Sequence, residues 1–338
     1  MKFGVQFFPD VKPEETSARD YFADSLVIAE EAERLGFTHA RIVEHYFHYY
    51  GGYSPNPMLF LAAVSQRTKR MRLVTGAVLP VFNHPLKLAG EIGMLDAISG
   101  GRLDVGFARA FLPHEFRRFG ISPNESVERY REGIEQVDLL LREENVSHRG
   151  KFHTIEKTTS LPRPTQRPRP KFYVAALATP DSFEFAGRMG YSVMAIPMAG
   201  GKMRELLGLY RQAWRDAGHP GDGEVMLAFH MFCHPDGETA RDIARAPLNN
   251  YLHSLVDAAG DWMEGLSSKD YPGYDKVIAK LKETTMDSMV ATGAAWIGSP
   301  REIVETIGGL AQDYGKFEHA SLRLFGTEVL GHFADGRG

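Results

Sequence analysis

The first 141 residues alternate between short apolar segments and longer amphipathic ones, and this alternation restricts the fold more than any other feature of the sequence. In residues 21–35, for example, Phe22, Leu26 and Ala29 recur at steps of four and three residues, as one buried helix face requires. Strand-then-helix units in succession are typical of a parallel sheet with helical crossovers. The predicted strands are residues 3–8, 38–43, 71–79 and 102–107, and the predicted helices are residues 21–35, 57–67, 86–98 and 126–141.

The same alternation continues beyond residue 141. A parallel sheet can either stay open, with helices on both sides, or close into a barrel. Because the strand–helix units continue at similar intervals, the barrel is favoured over the open sheet. Barrels also commonly exceed the ~150 residues of an average domain. We therefore predict an α/β fold, a single (β/α)8 barrel domain that spans residues 1–338. Its remaining strands are predicted at residues 171–176, 191–196, 224–232 and 320–325.

Three segments interrupt the alternation. Residues 145–158 are predicted to form a hairpin that turns at Arg149 and Gly150. Residues 161–170 are rich in proline and arginine and predict an extended connector. Residues 248–296 are mostly helical in pattern and come just before the last helix and strand. We interpret them as an insertion that covers the mouth of the barrel.

The composition excludes several classes of protein. The formal net charge is −4, without the basic surplus that is typical of nucleic-acid-binding proteins. The single cysteine, Cys233, allows no intramolecular disulfide and is predicted to lie in the core. The first residues turn polar too soon for a signal peptide, and no apolar run has the roughly 18 residues of a membrane span. We expect neither a nucleic-acid nor a membrane partner, and a cytoplasmic location.

Polar side chains follow the second predicted strand. In a parallel barrel the active site is formed by the loops after the carboxyl ends of the strands. His45 lies just past such an end, and a histidine there can exchange a proton near neutral pH. Two other interpretations stay open, a hydrogen-bonded structural histidine and a metal site of Glu44, His45 and His48. The spacing of these three residues is not that of the helical HExxH zinc motif.

Two further loops carry features that suit an anion. Arg109 comes two residues after the fourth strand, where an arginine can bind a phosphate or form a salt bridge at the rim. After the fifth strand, Thr179 and Pro180 predict a helix start, with Ser182 in the first turn. The N–H groups and dipole of a helix N-terminus favour phosphate, and simple capping is the alternative. The sequence contains no dinucleotide-binding, phosphate-loop or nucleophile-elbow motif.

Four blocks of the sequence resemble bacterial luciferase and the luciferase-like flavin monooxygenases. They are residues 43–47 (VEHYF), residues 76–80 (GAVLP), residues 95–109 (LDAISGGRLDVGFAR) and residues 175–182 (AALATPDS). A weaker match is IGSP at residues 297–300. Each block alone is unspecific, but the four occur in the family's order and at its spacing. The resemblance extends over residues 1–330 and is densest in the first 200.

The resemblance implies a barrel that binds reduced FMN at its mouth. It assigns Arg109, Thr179 and Ser182 to the FMN phosphate, with Ala178 in the same cofactor-binding loop. It assigns the role of catalytic histidine, close to the flavin ring and the substrate, to His45.

Two more cofactor-binding positions follow from the resemblance. Gly76 and Ala77 fall where the family often has a non-proline cis peptide beneath the flavin ring. Ala108 occupies the position of the luciferase cysteine beside the flavin, which is one departure from that enzyme. A second departure is Ala110, where family members frequently have glycine.

The implied activity is that of a two-component monooxygenase. A separate flavin reductase would supply reduced FMN, molecular oxygen would form a flavin 4a-hydroperoxide, and a small organic substrate, carbonyl compounds included, would be oxygenated. The resemblance also implies a homodimer. A deazaflavin-dependent hydride-transfer enzyme and a non-catalytic flavin-binding protein remain alternatives. The substrate-pocket candidates are Tyr46, Tyr49, Phe111 and Glu115, and for the aromatic ones packing of the rim is the alternative.

Overall fold

The structure is a computed structural model, and it describes residues 1–197, 202–314 and 319–322. Strands and helices alternate along almost the whole of this length. In chain order the elements are β1 (Lys2–Phe7), α1 (Ala18–Arg34), β2 (His39–Ile42), α2 (Pro57–Arg67), β3 (Arg72–Val78), α3 (Pro85–Ile98), β4 (Leu103–Phe107), α4 (Pro113–Phe119), α5 (Ser126–Arg142), β5 (Val146–Arg149), β6 (Thr154–Thr158), β7 (Lys171–Ala176), α6 (Pro180–Arg188), β8 (Ser192–Ala195), α7 (Met203–Asp216), β9 (Val225–Cys233), α8 (Gly237–Ala258), α9 (Tyr274–Lys282), α10 (Met286–Ala291), β10 (Ala295–Gly298), α11 (Pro300–Tyr314) and β11 (His319–Leu322).

Eight of the strands pair in a ring. Parallel pairings run from β1 through β2, β3, β4, β7, β8 and β9 to β11, and β11 pairs in turn with β1. Each crossover carries at least one helix, as a parallel connection requires. The predicted (β/α)8 barrel is confirmed. The predicted hairpin is confirmed as well, because β5 and β6 pair antiparallel around Gly150.

Helix starts follow the local sequence. Ser17 precedes α1 and accepts a hydrogen bond from the backbone N–H of Asp20, at 3.1 Å. Asn56 caps α2 in the same way, through the N–H of Met58 at 2.9 Å. Short polar side chains at these positions satisfy N–H groups that the helix itself leaves without partners. None of the helices among the described residues has the length and apolar character needed to cross a membrane.

The inside of the barrel and its outer layer have separate apolar cores. Val74, Tyr173, Met194 and Met226 form a small cluster with Ala77, apart from the large core between the ring and the helices. Val74 is the register partner of Arg41 on β2. Because register partners point to the same side of a sheet, the Arg41 side chain also points into the barrel.

Some elements were not predicted. Helix α4 lies between β4 and α5. The short strand β10 pairs parallel with the C-terminal half of β9. The predicted insertion starts in the wrong place, because Pro247 lies inside the continuous helix α8 that begins at Gly237. The extra structure between α8 and α11 therefore begins after Ala258. The end of the predicted last strand, residues 323–325, lies outside the described residues.

Candidate active site

A cavity of about 200 Å³ opens where the barrel strands end. Its walls come from the loops after β2, β3, β4 and β7 and from the inner faces of α8 and α9. This is the end of a parallel barrel at which the loops assemble an active site. The predicted site residues that line it are His45, Gly76, Ala77, Ala108, Arg109, Phe111, Thr179 and Ser182.

His45 is held by a buried carboxylate. Its Nδ1 lies 3.1 Å from Oε1 of Glu115, which also accepts the backbone N–H of Tyr46 at 2.9 Å. Glu115 is wholly buried, and its Oε2 has no hydrogen-bond partner among the described residues. An ionised carboxylate only accepts hydrogen bonds, so we assign the proton of this contact to Nδ1. The Nε2 atom of His45 is then the nitrogen that can exchange a proton with a ligand.

Aromatic rings fix the plane of the His45 imidazole. The rings of Phe8, Tyr50 and Phe111 surround it at centroid distances of 5.8, 5.3 and 6.2 Å. Gly51 also matters, because a Cβ at that position would come within 2.6 Å of His45 Cδ2. The absence of a side chain at position 51 therefore leaves room for the His45 ring.

Glu44 has a role different from that of His45, the next residue in the chain. Its two oxygens accept hydrogen bonds from the hydroxyl of Tyr46 at 2.5 Å, the amide of Asn83 at 2.8 Å and the N–H of Leu79 at 3.2 Å. Burial raises the pKa of Glu44 to about 7, although these three donors each lower it. The carboxyl group joins the loops after β2 and β3, and its protonation can change near neutral pH.

Arg109 lies on the loop after β4. Its Nη1 donates to the backbone oxygen of Asp270 at 2.7 Å, and its guanidinium stacks on the ring of Tyr271 at 4.3 Å. Within the described part of the chain it forms no ion pair with a carboxylate. The predicted alternative, a salt-bridged rim arginine, is therefore wrong for the described residues, and the positive charge remains available to a ligand in the cavity.

The start of α6 also lines the cavity. Thr179 occupies the N-cap position, but its side chain makes no capping hydrogen bond. Thr179 and Ser182 both line the cavity. The acidic residue of the first turn, Asp181, is paired instead with Arg131 at 2.6 Å on the outside. The helix N-terminus therefore presents N–H groups and hydroxyls to the cavity, an arrangement that favours a phosphate.

The peptide bond between Gly76 and Ala77 is cis, as expected. Both residues line the cavity beside Ala108. Ala110 has a φ of 61°, in the left-handed region that favours glycine.

Residues after α8 hold the Arg109 loop in place. The hydroxyl of Tyr271 donates to the backbone oxygen of Ala110 at 2.7 Å. The indole N–H of Trp262 donates to the backbone oxygen of Phe111 at 2.8 Å. Ile278 and Leu281 of α9 extend from the same segment into the cavity wall. The extra segment therefore both covers the cavity and supports the loop beneath it.

Four predicted site residues do not line this cavity. Glu115 lies behind His45 because its carboxylate is used to hold the imidazole. Tyr46 turns away because its hydroxyl binds Glu44 and its ring packs on Phe119 at 4.9 Å. Tyr49 is 46% exposed and borders a larger, outer cavity of about 780 Å³. Ala178 points to solvent, one residue before the cavity-lining Thr179.

The metal-site interpretation is not supported by the arrangement of its three residues. Glu44 is bound to Tyr46 and Asn83, and His45 to Glu115, whereas His48 Nε2 pairs with Asp257 of α8 at 3.1 Å. Among residues 1–197, 202–314 and 319–322, no three acidic, histidine or cysteine side chains converge on a common point.

Arg41 is a cavity residue that we did not predict. It lies at the inner end of the cavity, only 4% exposed, with its Nη2 donating to the backbone oxygen of Gly76 at 3.2 Å. The signal was present in the sequence, because a charged residue interrupts the otherwise apolar strand at residues 40–43. Such residues are almost never fully buried without a partner.

Comparisons with known proteins identify the family of the chain. The family model for luciferase-like monooxygenases matches residues 1–315. The oxygenase component of flavin-dependent trigonelline monooxygenase from Acinetobacter baylyi is 30% identical over 317 residues, which cover 91% of this chain and 85% of that protein. Among solved structures, monooxygenase RslO1 from Streptomyces bottropensis is 40% identical with a TM-score of 0.86, and all of both chains is covered.

A more distant structure shows the same fold. The oxygenating constituent of 3,6-diketocamphane monooxygenase from Pseudomonas putida, solved in complex with FMN, is 22% identical with a TM-score of 0.79. The match covers 97% of this chain and 93% of that one. The family model extends over nearly the entire chain, and two relatives at 30% identity or more span its length. The chain therefore belongs to the luciferase-like monooxygenase family, and it is a flavin-dependent monooxygenase.

Proposed function

We propose that the protein is the oxygenase component of a two-component, FMN-dependent monooxygenase that acts on a small organic substrate, carbonyl compounds included. One observation carries the proposal: a single cavity is lined both by an anion-binding end and by a histidine that a buried carboxylate holds from behind. Arg109 and the start of α6 form the first, and His45 with Glu115 forms the second. Reduced FMN, when bound, supplies the electrons with which molecular oxygen is activated.

The anion-binding end suits the phosphate of FMN. Arg109 provides a positive charge that no described carboxylate neutralises, and α6 provides N–H groups together with the hydroxyls of Thr179 and Ser182. Phosphate accepts several such hydrogen bonds at once, and those to charged donors are the strongest. These residues would anchor the cofactor and so direct its ring toward Gly76, Ala77 and Ala108.

His45 would move the proton. Glu115 holds Nδ1, so Nε2 can take a proton from the substrate or return one during oxygenation. The buried carboxylate also stabilises the imidazolium form while the proton is held. A histidine oriented in this way is a more effective base than a mobile one, because no reorientation is needed in the reaction.

The cavity wall would limit access of water. Phe8, Tyr50 and Phe111 cover one side, and Leu255 of α8 with Ile278 of α9 covers another. An apolar wall of this kind protects reactive oxygen chemistry from competing hydrolysis and proton leakage. The substrate would bind against these side chains, with Phe111 as the one predicted aromatic candidate that lines the cavity.

Two partners belong to the proposal. A separate flavin reductase would supply reduced FMN, because this chain has no dinucleotide-binding motif and a relative is named as an oxygenase component. A second copy of the chain would bind to α2 and α3, where Leu59, Met94 and Ile98 are 73%, 56% and 43% exposed. Contiguous exposed apolar side chains commonly mark protein interfaces. The cytoplasmic location stays a prediction from the sequence.

An anaerobic titration tests the proposal. Reduced FMN is added to the purified protein, oxygen is then admitted, and flavin reoxidation, peroxide release and oxygenation of a panel of aldehydes and ketones are measured. Slower reoxidation than in free solution, together with an oxygenated product, is the expected result. Reoxidation at the rate of free flavin without product would indicate a non-catalytic flavin-binding protein. Tight binding of a reduced deazaflavin that does not react with oxygen would indicate hydride transfer.

A further inference from the structure

Arg41 is a buried cation inside the barrel. It lies within β2, in register with Gln6 of β1 and Val74 of β3, and is 4% exposed. Arg109, by contrast, comes after the end of its strand and is half-buried. Both line the same cavity, so the cavity has one positive charge near its mouth and another deeper in the barrel.

Within the described part of the chain, two of the three nitrogens of the Arg41 guanidinium group have no hydrogen-bond partner. Its Nη2 donates to the backbone oxygen of Gly76, but Nε and Nη1 have no hydrogen-bond partner among the described residues. Glu44 also lines the cavity, but its oxygens are engaged by Tyr46, Asn83 and Leu79 rather than by Arg41. Burial lowers the pKa of Arg41 to about 10, so the side chain still carries its charge at neutral pH.

The fold accommodates this arginine at a cost. Removing a charged group from water without an opposite charge is strongly unfavourable. Position 76 also has to lack a side chain, because a Cβ there would come within 2.1 Å of Arg41 Nε and 2.6 Å of its Cδ. Val74 and Met194 are apolar neighbours in the interior, and Gln6, the register partner on β1, carries no charge. A charge that pairs with no carboxylate of the described residues is explained if a ligand supplies the anion.

We propose that Arg41 binds a planar anionic group of a ligand at the inner end of the cavity, an inference that rests on the proposed function. A guanidinium suits such a group because its N–H donors are fixed in one plane. Two ligands carry this chemistry. One is the ring of reduced FMN, which is negatively charged along its N1–C2–O2 edge after loss of a proton. The other is a substrate carboxylate.

The test compares three proteins: the unaltered chain, Arg41→Met and Arg41→Lys. Dissociation constants for reduced FMN and oxidised FMN are measured anaerobically, and that for benzoate is measured on the FMN-loaded protein through the flavin spectrum. Arg41→Met is expected to weaken the binding of reduced FMN or of benzoate by about 10- to 100-fold. This is the effect expected when a hydrogen bond between charged groups is lost. Arg41→Lys keeps the charge and is expected to retain most of the affinity.

The two sources of the anion give different results. If Arg41→Met lowers the affinity for reduced FMN more than that for oxidised FMN, the flavin ring is the anion that Arg41 binds. Loss of benzoate binding with an unchanged ratio of the two FMN affinities identifies a carboxylate. Equal affinities for all three probes in Arg41→Met and the unaltered chain would overturn the inference. Failure of the unaltered chain to bind FMN in either form would instead contradict the proposed function.

Thermal unfolding of the ligand-free protein gives a second, independent measurement. If Arg41 serves ligand binding, its buried charge destabilises the ligand-free protein. Arg41→Met removes that charge and is therefore expected to raise the melting temperature. A lower melting temperature with unchanged ligand affinities would assign Arg41 a structural role and reject the inference.

Discussion

The Nδ1 atom of His45 lies 3.1 Å from Oε1 of Glu115, a carboxylate that is wholly withdrawn from solvent. This contact makes Glu115 a positioning residue that acts through His45. We expect His45→Ala to lower turnover about 100- to 10,000-fold if His45 is the general acid–base group. Glu115→Gln keeps the size of the side chain but removes its charge. It is expected to lower turnover about 10-fold, because a neutral hydrogen bond to Nδ1 replaces a charge-assisted one that is about twice as strong.

The combination of the two variants separates positioning from a direct role. Because Glu115 acts through the imidazole, Glu115→Gln should have little further effect on turnover in a His45→Ala background. The dissociation constant for FMN serves as the control and should stay unchanged in both single variants. Additive losses in the double variant would mean that Glu115 acts on the reaction without His45.

Arg109→Ala should weaken FMN binding by about 10- to 100-fold, because a charged hydrogen bond to the phosphate is lost. Turnover at saturating FMN should change little. The same variant should bind riboflavin, which has no phosphate, as tightly as the unaltered protein does. Arg188→Ala is the matched control, since Arg188 lies on α6 but pairs with Asp181 and Glu184 on the outside. Equal weakening of FMN and riboflavin would reject the phosphate assignment.

Gly51→Ala should displace the His45 ring, because the new Cβ would come within 2.6 Å of Cδ2. Gly51 and Gly218 share a φ of 76°, but nothing lies within 4 Å of a Cβ at Gly218. Gly218→Ala therefore carries the same backbone strain without the contact. We expect similar stability losses of about 1 kcal/mol from that strain, and reduced turnover in Gly51→Ala alone. Equal turnover in the two variants would show that the space left by Gly51 does not matter to the function of His45.

Glu44 should make the stability of the ligand-free protein depend on pH. Burial raises its pKa from an ordinary value of 4.5 to about 7, so the folded state keeps the proton to higher pH than the unfolded chain does. The free energy of unfolding should therefore fall as the pH rises from about 4.5 to about 7, by up to ~3 kcal/mol. Below this window the contribution is fully present, and above it the contribution is lost.

Glu44→Gln should flatten that pH dependence, because glutamine carries no titratable proton. Urea unfolding at pH 5 and pH 7.5 measures the difference. Glu91→Gln is the control, since Glu91 pairs with Lys87 on the partly exposed side of α3 and should leave the dependence intact. A slope that survives Glu44→Gln would show that another group is responsible.

The exposed apolar face of α2 and α3 predicts a dimer. A charge on this face, in Leu59→Glu or Met94→Glu, should convert the protein to a monomer with an intact near-ultraviolet circular dichroism spectrum. Ile243→Glu introduces the same charge at a 49% exposed position on α8 and should leave the assembly unchanged. Sedimentation velocity distinguishes the species, and a dimer in all three variants would place the interface elsewhere.

The barrel could be predicted because the pattern of a strand followed by a helix is visible in each short segment and recurs along the chain. Each strand-then-helix unit shows its own periodicity, and several helices carry a cap such as Ser17 or Asn56. His45, Arg109 and Thr179 follow directly from this pattern, since each comes just after a strand. Their position at the cavity needed only the rule that parallel strands end at the same side.

Contacts between distant segments could not be predicted in this way. Glu115 was expected in the pocket, but 70 residues of chain separate it from His45, and only the folded loops show that it lies behind the ring. Tyr271 and Trp262 bind the Arg109 loop from more than 150 residues away. Arg41 was missed for another reason: a charge inside an apolar strand does not by itself show whether it faces a helix or a ligand.

The support of the Arg109 loop by Tyr271 and Trp262 has a consequence for how such enzymes diversify. A segment that covers the substrate would be a convenient unit to exchange between relatives, because specificity could change while the barrel is conserved. Here the same segment binds two backbone oxygens of the loop that carries Arg109, the arginine proposed to bind the phosphate. A transplanted segment must therefore reproduce both donors, or the new specificity would come with a weakened hold on the cofactor.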